Sequence, residues 1–185
     1  LLRGQLKFIN KFHNLIGVTS FSKELAQVKD QEGIRVIPLD MTRKITPFKD
    51  MAALIGMIGI LKKEKPDVVH SHTPKAGIIA MLASKICGIP HRIHTVAGLP
   101  LMEASGIKKK ILLFIEWLTY CCATKVCPNS KGIEQFILKY ISIPKNKLRV
   151  IGFGSSNGVD LEYFNRNQEV NYSSFAFKKK YNLEN

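Results

Sequence analysis

The sequence predicts an α/β protein built on a doubly wound parallel sheet, and three observations carry that prediction. Short apolar runs rich in β-branched residues alternate with longer segments of helical character. The connections between them are short and punctuated by Pro and Gly. Runs such as the two valines before His70 are nearly continuous in apolar residues, as expected of strands covered on both faces. Strand–helix alternation with short connections implies right-handed βαβ units.

Taken in order, strands are predicted over Leu15–Phe21, Ile34–Leu39, Asp67–His72, Arg92–Val96, Lys125–Cys127 and Leu148–Gly152. Ser22 caps a helix through Gln31, and Gly33 ends it in the left-handed conformation. Thr46 and Pro47 open a long helix through Lys63, with Pro in the first turn, where its missing N–H costs nothing. Pro74 opens the next, which runs to Cys87 and stops at Gly88 and Pro90. Lys108–Ala123 and Lys131–Ile141 supply two more. Leu1–Lys11 reads as an amphipathic helix with no strand before it, whereas a Rossmann-like sheet ordinarily begins with a strand and a glycine-bearing turn; its absence suggests truncation or an unusual sheet. Residues 1–164 are expected to form one domain. After Phe164 the pattern fades into a linker over residues 165–185 with a short helical signal, leading to something not present.

Twenty-eight Lys and Arg against fourteen Asp and Glu give a formal net charge of +14, which suits an acidic partner: nucleic acid, an anionic membrane surface or a phosphorylated substrate. The composition, 45% hydrophobic and 23% charged, belongs to a folded rather than a disordered chain. Cys87, Cys121, Cys122 and Cys127 form no C-x-x-C pair, so buried reduced thiols are expected. The chain starts at Leu1 and shows no leader pattern. Its longest apolar stretches, Met51–Leu61 and Ile111–Ala123, fall short of the ~20 residues that span a bilayer.

The segment Lys65–Gly77, KPDVVHSHTPKAG, is the most informative. A buried strand delivers His70 and His72 to its carboxyl end, and Lys75 lies in the first turn of the following helix. In open α/β sheets ligands bind beyond the carboxyl ends of the strands, and a helix N-terminus there attracts phosphate. The plainer reading makes the histidines satisfied edge or core residues and Lys75 a solvated one. Gly98, in HTVAGLP, either lets a backbone approach a ligand or simply makes a turn. In GFGSSNGVD, Asn157 stands where the third Gly of a dinucleotide fingerprint belongs, so that motif is rejected and a tight turn is expected. Glu24 and Glu32 have E-x7-E spacing but flank an ordinary surface helix, a coincidence. Lys108–Lys110 beside ILLFIEW is either the charged first turn of a core helix or, with Trp117, an interfacial membrane contact.

Read together, LLRGQLKFI, EGIRVIPLDMTRKITPFKDMAAL, KPDVVHSHTPKAGIIAMLAS, GIPHRIHTVAGLP, ATKVCPNSKG and LRVIGFGSSNGVDLEYF resemble the N-terminal domain of family 4 glycosyltransferases, particularly those of capsular and other surface polysaccharide assembly. The resemblance covers nearly the whole chain. It implies one Rossmann-like half of a two-domain GT-B fold, the acceptor side, with the first strand and the donor domain absent. It also implies a retaining transfer from a nucleotide-sugar donor to a saccharide acceptor, a lipid-diphosphate-linked one, with no cofactor and no bound metal. The protein would then work in the cytoplasm, peripheral on an anionic inner membrane face and without nucleic acid.

The resemblance assigns Arg43, His72, Thr73, Lys75, Gly77 and Gly98 to acceptor or phosphate binding, with Lys75 and Arg43 on phosphate. It places Asn157, Gly158 and Asp160 in the turn toward the interdomain linker. Asp50 either orients Arg43 or caps its own helix. Many relatives carry a His where this chain reads Val96 or Ala97, so no catalytic residue is assigned. The chain alone is expected to be inactive. Three alternatives stand beside this reading: a sugar-nucleotide epimerase of the same architecture, a nucleic-acid-binding domain and a non-catalytic basic α/β module. The second is disfavoured because the aromatics are few and sit in apolar patterns rather than among basic residues.

Overall fold

A computed structural model of the chain describes residues 2, 4–22, 25–42, 46–154, 165 and 168–182. The order is α1 (Gln5–Ile9), β1 (Ile16–Thr19), α2 (Leu25–Glu32), β2 (Arg35–Pro38), α3 (Pro47–Glu64), β3 (Val68–Ser71), α4 (Pro74–Ile86), β4 (His91–Val96), α5 (Gly106–Cys122), β5 (Lys125–Pro128), α6 (Lys131–Tyr140) and α7 (Gln168–Lys180). All strand pairings are parallel, as the alternation predicts. The pairing divides the strands into two sheets, β1–β2 and β3–β4–β5, rather than one.

Pro47 and Pro74 occupy the first turns of α3 and α4, and Gly33 closes α2 with φ of 64°. Ser130 caps α6, its Oγ accepting from the Ile133 N–H at 3.1 Å. The core is made chiefly by α3, α4 and α5, α4 packing against both of the others and against β3 and β4. Ala53, Met57 and Leu61 of α3 meet Ile79, Ala80, Met81 and Ala83 of α4 there, with Tyr120 and Cys122 of α5. Val18, Leu39 and Met41 join this core from the β1–β2 side. All four cysteines are free; Cys122 and Cys127 are buried, Cys87 and Cys121 half-buried.

Three sequence expectations are corrected. The strand expected over Leu148–Gly152 is reduced to a single parallel bridge from Leu148 to Val126. A 3-10 turn at Lys145–Lys147 leads into it, and the chain turns away at Gly152, leaving Ile151 and Phe153 exposed rather than sandwiched. The N-terminal helix spans only Gln5–Ile9. The late helical signal is longer than expected, beginning at Gln168, yet its described side chains are all exposed. No helix among the described residues is long and apolar enough to cross a membrane.

Candidate functional site

β3 and β4 run in register, with Ser71 opposite His94 and His70 opposite Ile93. Because side chains alternate along a strand, this register sorts the polar residues at the carboxyl ends onto two faces. On the face covered by α4, Ser71 Oγ and His94 Nδ1 are 2.8 Å apart, and His94 is only 2% exposed. On the other, His70 Nε2 and Thr95 Oγ1 are 2.8 Å apart, and the rings of His70 and His72 lie 4.0 Å centroid to centroid. His72 Nδ1 is buried without a hydrogen-bond partner among the described residues. Desolvation pulls all three imidazoles below the ordinary histidine range, His70 and His94 to about 4, with neighbouring imidazoles adding to the effect at those two, although His70 keeps part of its surface in solvent. At neutral pH they are uncharged groups able to donate and accept hydrogen bonds.

Positive charge comes from the next element. Thr73 is the N-cap of α4 and Pro74 its first residue, so Lys75 stands in the first turn, where free N–H groups add partial positive charge. Lys75 Nζ lies 2.5 Å from Asp50 Oδ2. Asp50 also accepts from the Thr46 N–H (3.2 Å) and the Thr46 hydroxyl (3.0 Å) at the start of α3. Asp50 thus does cap its own helix and in addition orients Lys75, joining the openings of α3 and α4. These contacts and the Thr46 bonds hold its carboxyl below the usual range, against the opposing effect of burial.

His72, Thr73 and Lys75 are therefore brought together, on one loop. Gly77 is one turn further on and buried. A Cβ there would stand 2.5 Å from His94 Cε1, so its role in this structure is to let α4 close over the His94 ring. Gly98 lies on the exposed loop after β4, with open space where a side chain would be. Arg43, Asn157, Gly158 and Asp160 lie outside the described residues, as does Glu24. Glu32 has a structural use: the Gly4 and Lys7 N–H groups donate to its two carboxylate oxygens at 2.7 and 2.9 Å, closing the start of α1.

Sequence reasoning passed over Ser71, His94 and Thr95. Their signal was present in the spacing: HSH and HTV end neighbouring strands, and in-register parallel pairing sets their side chains side by side. Among the described residues no three His, Cys, Asp or Glu side chains are grouped to hold a metal. At the opposite end of the sheet a basic hollow is lined by Arg92, Lys125 and Lys147 among others. Its charges serve the backbone. Lys147 Nζ donates to the carbonyls of Tyr120, Cys121 and Ala123 at the end of α5, and Arg92 to those of Cys122 and Ile89.

Comparison with known proteins identifies the family and the fold. The chain is 41% identical over 165 residues to the capsular polysaccharide biosynthesis glycosyltransferase CapM of Staphylococcus aureus, covering 89% of this chain and 43% of the relative. It is 34% identical over 128 residues to a UDP-Gal:alpha-D-GlcNAc-diphosphoundecaprenol alpha-1,3-galactosyltransferase of Escherichia coli, covering 67% and 31%. The chain thus spans less than half the length of these relatives. In fold it is similar to a glycosyltransferase from Rickettsia africae (TM-score 0.60, 21% identity, 97% of this chain and 44% of that one). It is also similar to the UDP-GlcNAc 2-epimerase of Neisseria meningitidis (TM-score 0.57, 21% identity, 82% and 43%). Residues 18–154, the stretch from β1 to the turn after Leu148, match the glycosyl transferase 4-like domain, and the chain belongs to that family.

Proposed function

We propose that this chain forms the acceptor-side half of a retaining glycosyltransferase. In this reading the whole enzyme moves a sugar from a nucleotide donor, UDP-linked as in the Escherichia coli relative's name, to a lipid-diphosphate-linked saccharide. It works at the inner face of the cytoplasmic membrane, in surface polysaccharide assembly. Residues 1–164 make the domain, and residues 165–185 lead toward a donor-binding partner domain. The carrying observation is the loop His72–Thr73–Pro74–Lys75: neutral imidazoles suited to sugar hydroxyls beside an ammonium and a helix N-terminus suited to phosphate, at the carboxyl end of a parallel sheet. Arg43 is proposed to add a second cation to the phosphate site, Gly98 to leave room for the acceptor, and Asn157, Gly158 and Asp160 to shape the turn between domains.

The test is a transfer assay on the whole protein with UDP-sugars and a synthetic polyprenyl-diphosphate saccharide. The expected outcome is acceptor-dependent transfer with retained anomeric configuration, and for Lys75→Gln a rise in acceptor KM of about tenfold, the loss of one charge-assisted contact. The 185-residue chain alone transfers nothing. Sugar epimerisation without acceptor would replace the transferase reading with that of an epimerase. Unchanged acceptor KM in Lys75→Gln would remove the phosphate role of that lysine.

A further inference from the structure

Helix α5 turns Glu116, Thr119, Tyr120 and Cys122 into the core. A helix packed this way ordinarily presents polar residues on its outer side. Here the outer side carries Ile107, Ile111, Phe114 and Trp117, which are 78, 47, 59 and 40% exposed. Spaced three or four residues apart, they make one continuous stripe of about 15 Å along the helix. The Phe114 and Trp117 rings lie 5.7 Å apart. Helical geometry puts Lys110 within the width of the stripe, between Phe114 and Trp117 in azimuth, and Lys108 beyond its Ile111 edge. Both are exposed, and neither has an acidic partner among the described residues. Lys109, between them, is turned toward Tyr140 of α6 (5.3 Å to the ring centroid). The helix has one carboxylate, Glu116, and it is buried on the far side.

An apolar stripe, a tryptophan at its end, one lysine within it, another beyond its edge and no outward carboxylate select for an anionic amphiphilic surface. A second copy of the same face would set lysine against lysine. The net charge of +14 draws the molecule toward the same surface.

We propose that this face of α5 docks the protein on anionic lipid. The stripe enters the boundary between headgroups and acyl chains, and Lys108 and Lys110 meet lipid phosphates. This rests on, and gives a location to, the lipid-linked acceptor reading, and its test does not require transfer. It is also distinct from the exposed aromatics of α7, Phe175 and Phe177. The described side chains of that helix are all exposed.

The experiment is vesicle flotation of the 185-residue chain with phosphatidylcholine alone and with added phosphatidylglycerol, alongside thermal unfolding of each variant. Wild type is expected to float with the anionic vesicles only, and less as salt is raised. Phe114→Glu is expected to lower partitioning by about tenfold or more, since it removes an aromatic that enters the lipid and adds repulsion. Lys108→Gln with Lys110→Gln is expected to lower it by about tenfold. Phe175→Ser with Phe177→Ser leaves it within about twofold, the effect expected of side chains outside the contact. Absence of flotation on anionic vesicles, an unchanged Phe114→Glu, or loss confined to the α7 variant would each overturn the proposal. So would a dimer that Phe114→Glu disperses without any vesicle binding. If acceptor-dependent transfer persists in such a case, the docking face alone has failed and the transferase reading stands.

Discussion

The two sheets are held by different forces. Around β3–β4–β5, helices α3, α4 and α5 bring together most of the buried apolar side chains, Met81, Ala83 and Tyr120 among them. Around β1–β2, Ile34 is the buried apolar residue among those described up to Thr42. Polar contacts do much of the holding there: Glu32 on the start of α1, the Asn10 amide donating to the Gly33 carbonyl at 3.0 Å, and Ser20 Oγ donating to the Met41 carbonyl at 2.7 Å. The difference teaches that parallel pairing by itself does not make two regions equally stable. Burial against neighbouring helices decides how much each contributes.

The largest break in that comparison should come from the core. Met81→Ala removes a fully buried side chain at the α4 centre and is expected to cost about 3 kcal/mol, whereas Val36→Ala in β2, half-buried, should cost about 1. Urea unfolding monitored by circular dichroism measures both. Equal costs would show that the β1–β2 side is as densely supported as the other.

Acid should separate the two regions next. The folded-state pKa of His94, about 4, lies below its ordinary value near 6.5, so the unfolded chain binds the proton more readily. Its contribution is fully present above pH 6.5 and is lost as pH falls toward 4, with a magnitude on the order of 3 kcal/mol. His70 acts in the same direction but more weakly, since it retains solvent contact. Chemical denaturation of the chain between pH 7 and 4.5 should show this loss. His94→Gln, although less stable at pH 7, should show a flatter slope across that interval. An unchanged slope would mean that His94 does not titrate as its burial demands.

The smallest effect should come from the polar ties. Glu32→Ala removes two acceptors from the start of α1 and is expected to cost about 1 kcal/mol, confined to that region. Hydrogen exchange should quicken at α1 and α2 while α4 and α5 stay protected. A global loss of protection would show that the two regions unfold as one.

Much of the fold was legible because it is local. Pro47 and Pro74 mark helix starts whatever their surroundings, and the alternation of apolar runs fixes a parallel α/β layer. The carboxyl-end loop at His72–Lys75 followed from the same logic. The strand over Leu148–Gly152 misled because its run of apolar residues carries no mark of being left uncovered. Gly77 read as a ligand-facing glycine because nothing local distinguishes a close approach by a ligand from one by the His94 ring.

By itself the sequence determined most of the strands and helices, the charge of the molecule and the loop proposed to carry the site. Those properties depend on residues within a few positions of one another. Tertiary structure alone decided that Ser71 meets His94, that Asp50 holds Lys75 and that, among the described residues, the outer face of α5 is left uncovered. Each depends on the register of two strands or the seating of one helix on another. Such pairings join residues 20 or more positions apart, as Ser71 and His94 are at 23, and no local periodicity encodes them.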